Sequence, residues 1–225
     1  MKKNKMMRMA SVLFVLTLIT SCFVGGTFAK YVTSKPGSDT ARVAKFGVTV
    51  NGAGNTFATA YDKNDQTAQL DTQTVISNNG DKVVAPGTKG QAMSVGLSGK
   101  TEVAVKVESV AVVTLVNWTD AEGEYYCPLV FDINGVKLDG RDYESMDAFK
   151  TAIETAIAEA KAEFAPNTDL SDLKDAKLAI SWEWPFEGAD VSADDVKDTY
   201  LGRQAQAGYP ATVKIELTTT VTQID

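Results

Sequence analysis

Residues 102–116 read EVAVKVESVAVVTLV. Val103, Val105 and Val107 alternate with Glu102, Lys106 and Glu108. A period of two sends successive side chains to opposite faces of an extended chain. This stretch is therefore a long strand with one face buried and one wet. Other segments repeat the pattern on both sides of it. Residues 91–97 are strand-like, and residues 129–138 carry Asn134-Gly135 between apolar runs, the preferred pair for a two-residue hairpin turn. Residues 177–186 and 211–223 are strands by the same reading, and so are residues 42–50 (RVAKFGVTV). In that last segment Phe46, Val48 and Val50 share a face opposite Val43, Lys45 and Gly47. Turn chemistry separates the runs, at residues 51–55 (NGAGN), at residues 78–81 (NNGD) and at Pro86-Gly87. Residues 57–69 are polar and show no clear period.

The period changes once. In residues 145–164 (SMDAFKTAIETAIAEAKAEF), Met146, Phe149, Ile153, Ile157, Ala160 and Phe164 fall on one helical stripe. Ser145 is placed to cap its start, and Pro166 to stop it. The expected fold is mainly β, a sandwich or jelly roll over residues 42–225, with a helical insertion at about 142–175.

The N-terminal residues read as an address. Residues 1–8 are basic, and residues 12–19 (VLFVLTLI) are apolar. Thr27 and Ala29 are small, as a signal peptidase requires. The expectation is a signal peptide over residues 1–29, cut between Ala29 and Lys30, followed by a flexible arm at residues 30–41 (KYVTSKPGSDTA). Two rivals exist. Ile19-Thr20-Ser21-Cys22 fits a bacterial lipobox, with acylation at Cys22. An uncleaved anchor is the other, although the apolar run is shorter than the ~20 residues of a membrane span. Membrane contact is expected only through the signal before cleavage.

Composition narrows the function. The whole chain has 22 bases, 29 acids and a net charge of −7. Residues 1–29 hold four of the bases and no acid, so the mature part stands at −11. A domain so acidic repels phosphate backbones, which excludes nucleic acid as a partner. The chain has no histidine. Serine and cysteine triads and the usual zinc peptidase site need an imidazole, so no catalytic residue is assigned and the chain is read as a non-enzyme without a cofactor. Two cysteines, one of them in the signal, exclude a disulfide scaffold, and Cys127 reads as a small buried hydrophobe.

Four features mimic sites. Gly99-Lys100-Thr101 resembles the end of a phosphate-binding loop, but a strand follows rather than a helix, so it reads as a hairpin turn. Trp182-Glu183-Trp184 resembles a sugar platform. Strand alternation puts Ile180, Trp182, Trp184 and Phe186 on one face, which reads as core. Asp190, Asp194, Asp195 and Asp198 are weak metal candidates whose spacing matches no EF-hand, and a solvated acidic turn opening a short helix is preferred. Asn117-Trp118-Thr119 is a glycosylation sequon by pattern alone.

The chain resembles the TasA/camelysin family of exported Gram-positive proteins. The resemblance is carried by Gly25-Gly26-Thr27-Phe28-Ala29 at the signal end, by the first strand at residues 41–50, by Ala85-Pro86-Gly87-Thr88 before a strand, and by the closing ATVKIELTTTVT at residues 211–222. It implies cleavage by a dedicated signal peptidase and a jelly-roll fold. For some members it implies biofilm matrix fibres, in which one subunit's N-terminal segment completes a sheet of the next. Family members described as metallopeptidases find no support in a chain without His or HExxH. The expected function is a secreted structural subunit that self-associates, with other matrix proteins as further partners. The donated strand is expected in residues 30–50, with Phe46, Val48 and Val50 filling a groove. The competing classes are a monomeric surface or sugar-binding module and, third, a camelysin-like metallopeptidase.

Overall fold

Twelve residues, Val105–Val116, form the central strand of the smaller of two packed sheets. Val105, Val107, Ser109, Ala111 and Val113 are buried, while Glu108, Val110, Val112 and Thr114 face solvent. The computed structural model describes residues 42–53, 56–61, 75–171, 177–186 and 191–224. In chain order the elements are β1 (Val48–Ala53), β2 (Ala60–Tyr61), β3 (Val75–Ile76), β4 (Lys89–Gly99), β5 (Val105–Val116), β6 (Val130–Ile133) and β7 (Val136–Asp139). They continue with α1 (Met146–Glu159), β8 (Ala162–Phe164), β9 (Lys177–Glu183), α2 (Val191–Gln206) and β10 (Thr212–Gln223). One sheet has the order β1-β4-β9-β6-β7 and the other β10-β5-β8, with β2-β3 a separate pair; every pairing is antiparallel. This is the mainly β sandwich with a helical insertion that the alternating pattern demands, and residues from Val43 onward form one compact unit.

The core joins the inner faces. Phe131, Ile133, Leu178, Ile180 and Trp182 of the large sheet cluster with Ala111 and Val113 of β5. Each large side chain so buried stabilises the fold by roughly 1.5–3 kcal/mol before entropy is counted. Trp182 and Trp184 are 2% and 5% exposed, as the period-two stripe requires, but Phe186 is 63% exposed. The strand stops at Glu183, so alternation no longer fixes the direction of Phe186. The Trp182 indole N–H donates to the carbonyl of Thr56 across 2.8 Å. A Cβ on Gly90 would collide with that indole nitrogen and with the same carbonyl, which is why the position has no side chain. Asn134 and Gly135 have φ of 50° and 91°, as the expected hairpin turn between β6 and β7 requires.

Helix α1 starts where expected: the Ser145 Oγ accepts from the Ala148 N–H at 3.1 Å. Phe149, Ile153 and Ile157 form its buried stripe. It ends at Glu159, well before Pro166, because Ala162–Phe164 pairs with Val105–Val107 of β5. Beyond that pairing the Glu154 carboxylate accepts from the Val113 N–H at 2.9 Å, so α1 covers this edge of β5.

Three expectations need correction. The first strand does not start at residue 42; it runs Val48–Ala53 and so includes part of the expected turn at residues 51–55. Gly47 has φ of +53° with the Lys100 carbonyl 2.6 Å from where a Cβ would sit, and this bend precedes the ladder. Gly99-Lys100-Thr101 is no hairpin turn, since β4 and β5 belong to different sheets and the segment crosses between them. Most of the acidic stretch expected as a turn and short helix is the 16-residue helix α2.

Candidate functional site

The residues singled out for function lie apart. Cys22, Ala29, Lys30 and the arm at residues 30–41 lie outside the described residues, as does Asp190. Val48 and Val50 belong to β1, which pairs with β4 from Val48↔Gly99 to Ala53↔Ser94. Val48 packs on the smaller core cluster with Leu97, whereas Phe46 and Val50 are each 43% exposed. Just upstream, the Lys45 N–H donates to the Glu102 carboxylate and the Glu102 N–H to the Lys45 carbonyl, both at 2.9 Å. In a single chain, then, Val48 and Val50 are paired within their own sheet, while Phe46 precedes the ladder.

The acidic candidates do not form a metal cage. The Asp194 carboxylate accepts from Arg141 at 3.1 Å, and the Asp198 carboxylate accepts from the Tyr126 hydroxyl at 2.8 Å and the Trp184 indole N–H at 3.0 Å. Asp195 is exposed. Among the described residues no three His, Cys, Asp or Glu converge on a point that could hold a metal. Burial, with Asp194 and Asp195 nearby, raises the Asp198 carboxyl above its ordinary value. Asp120 behaves oppositely: burial raises it, but hydrogen bonds from Lys197 and from the amides of Glu122 and Glu124 hold it below the ordinary value. Cys127 is fully buried, and desolvation pushes its thiol up to about 12, which makes it a poor nucleophile.

What the residues do build is an open edge. In antiparallel pairing, a residue's N–H and C=O point to the same side, and the side alternates along the strand. The Ile224 N–H donates to the Ala104 carbonyl, and the Thr212 carbonyl accepts from the Trp118 indole. Even-numbered residues of β10 therefore turn their amides toward β5. The odd ones, Val213, Ile215, Leu217, Thr219 and Val221, turn theirs to the other side, where no described strand pairs with β10. The parity is consistent on β5, whose Val105, Val107 and Val113 amides face β8 and α1. The edge is 12 residues long with an unbroken register and no proline. Of the usual protections of an edge strand, proline and a break in register are absent from it, while exposed charges are present at Lys214 and Glu216.

Beside this edge lies a groove of about 650 Å³. Val213 and Ile215 of β10 form one wall; Phe57, Val83, Val84 and Met93 form the apolar part of the rest. The alternation in residues 211–223 reveals the apolar face of β10, but which edge stays unpaired depends on the neighbours in space and leaves no local signal. Among the described residues no helix is long and apolar enough to cross a membrane. Compared with protein-family models, curated proteins and solved structures, the chain matches none.

Proposed function

We propose that the chain is an exported, non-enzymatic structural subunit that assembles head to tail. The segment ahead of β1 in one copy adds as a strand to the odd-residue edge of β10 in the next. The observation that carries this reading is an edge that no described strand pairs with, beside an apolar groove, because strand addition needs both backbone groups and side-chain pockets. Such a contact is heterologous, and it propagates into a filament wherever its rotation does not close.

The donor has the right length and charge. Lys45 and the β1 ladder hold Val48 and Val50 in their own sheet, so we place the donor in the arm at residues 30–41, upstream of the Phe46, Val48 and Val50 face read from the sequence. Twelve extended residues span roughly 40 Å at about 3.3 Å each, the length of β10. This segment has two bases against one acid, whereas residues 42–225 have 16 bases against 28 acids. A basic arm and an acidic body attract, and removal of the signal frees the arm for export-coupled assembly.

Light scattering of the chain from Lys30, with and without residues 30–41, tests the reading. The shorter chain keeps β1 and stays folded, monomeric and soluble; the longer one scatters. Added salt speeds assembly of the longer chain, since whole subunits at −11 repel over about 8 Å at physiological salt. A longer chain that stays monomeric at high concentration in every salt and divalent cation contradicts it. The second reading, a monomeric surface module, is favoured by the pairing of β1 within its own sheet, and that outcome would establish it.

A further inference from the structure

Helix α2 is attached differently from α1. Leu201 is its one fully buried side chain among residues 194–206, against Phe149, Ile153 and Ile157 on α1. Its other contacts include several polar ones. Asp194 pairs with Arg141 at 3.1 Å, and Lys197 pairs with buried Asp120 at 3.0 Å while lying over the Tyr126 ring at 5.1 Å. Asp198 accepts from Tyr126 and Trp184. Beneath the helix is a cavity of about 140 Å³ lined by Trp118, Trp184, Leu201 and Ala211 among others. It shares Val84, Ala205 and Ala211 with the groove along β10. The helix leads to β10 through Gly208, at φ of +92°, and Pro210.

We propose that α2 is a displaceable strap: it undocks as a unit from the Trp118–Trp184 cavity and opens the start of the β10 groove to an apolar side chain of an incoming strand. Segments with few buried apolar contacts open locally at lower free energy than the core. The Arg141–Asp194 and Lys197–Asp120 pairs are polar attachments, the second to a buried carboxylate, so the latch is held by charge and hydrogen bonds rather than by apolar packing. The cavity already under the helix means that displacement extends an existing apolar groove. Gly208 supplies the backbone freedom for the swing. The gating role rests on the proposed strand addition; the opening itself does not.

Hydrogen exchange, acrylamide quenching of tryptophan and light scattering, all on the chain from Lys30, test the strap. In the unaltered chain, α2 amides exchange faster than those of β5 and β9. The double variant Asp194→Asn, Lys197→Ala speeds α2 exchange about fivefold or more, leaves β5 and β9 unchanged, increases quenching, and assembles faster. Tyr126→Phe, which removes one donor to Asp198 from the body side, moves the same readouts in the same direction. Exchange of α2 only at the rate of β5 overturns the strap, and where the unaltered chain assembles, an α2 freed without a change in assembly rate overturns its gating role. If no chain scatters while α2 still opens on its own, the strand-addition reading fails and the displaceable helix remains.

Discussion

Asp198 shows how single residues divide the legible from the hidden. From sequence it belongs to a run of aspartates, and such runs usually face solvent. In the fold it accepts hydrogen bonds from Tyr126 and Trp184 against the core. Desolvation raises its carboxyl from the ordinary 3.8, the two hydrogen bonds act against the rise, and Asp194 and Asp195 add to it. A carboxyl raised in the folded chain binds its proton more tightly there than in the unfolded chain. Its contribution to stability is thus full below 3.8 and is lost as pH rises through the raised folded value. Asp198→Asn mimics the protonated group. It should raise the thermal midpoint relative to the parent at neutral pH, with the difference vanishing toward the acid end; a variant less stable at neutral pH than at acid pH, relative to the parent, would contradict this. The tryptophans were legible because strand alternation reports burial directly. The partners of Asp198 were not, since Tyr126 lies 72 residues away.

At the scale of elements, periodicity located β4, β5, β9, β10 and α1, because each buries one face and so carries a repeat. It failed where burial is slight. Helix α2 has one fully buried apolar side chain among its described positions and hence almost no stripe to read. The end of α1 was misplaced because Phe164 continues the helical spacing while its backbone serves β8. The parity of β10 gives a sharp prediction between two adjacent residues of one type. Thr220→Pro removes an amide that faces Glu108 of β5 and should destabilise the fold by about 1–3 kcal/mol in urea unfolding. Thr219→Pro removes an amide on the free edge and the 2.8 Å hydroxyl contact to Ser109. It should stay folded, at a smaller loss of stability, and fail to assemble. Equal destabilisation by the two variants would mean that the parity is wrong.

At the scale of the whole molecule, the sequence carries the fold class, the acidic balance and the absence of histidine. It does not carry the arrangement that matters most for the proposed function: the two edges of one sheet differ, with β5 covered by β8 and α1 on one side and β10 paired with no further strand among the described residues on the other. That asymmetry is a property of topology, and in the proposed assembly it gives the acceptor its place on β10. Salt separates the two electrostatic contributions. Whole subunits should assemble faster in salt, whereas the arm peptide binding to an armless domain should weaken, since there the charges are opposite. The most direct measurement of the central claim is residue-resolved amide exchange on β10, in the monomer and in the assembled state. The amides of Val213, Ile215, Leu217, Thr219 and Val221 should exchange freely in the monomer and become protected on assembly, while those of Lys214, Glu216, Thr218, Thr220 and Thr222 should be protected in both. Protection of the odd-numbered amides that does not change on assembly would contradict it.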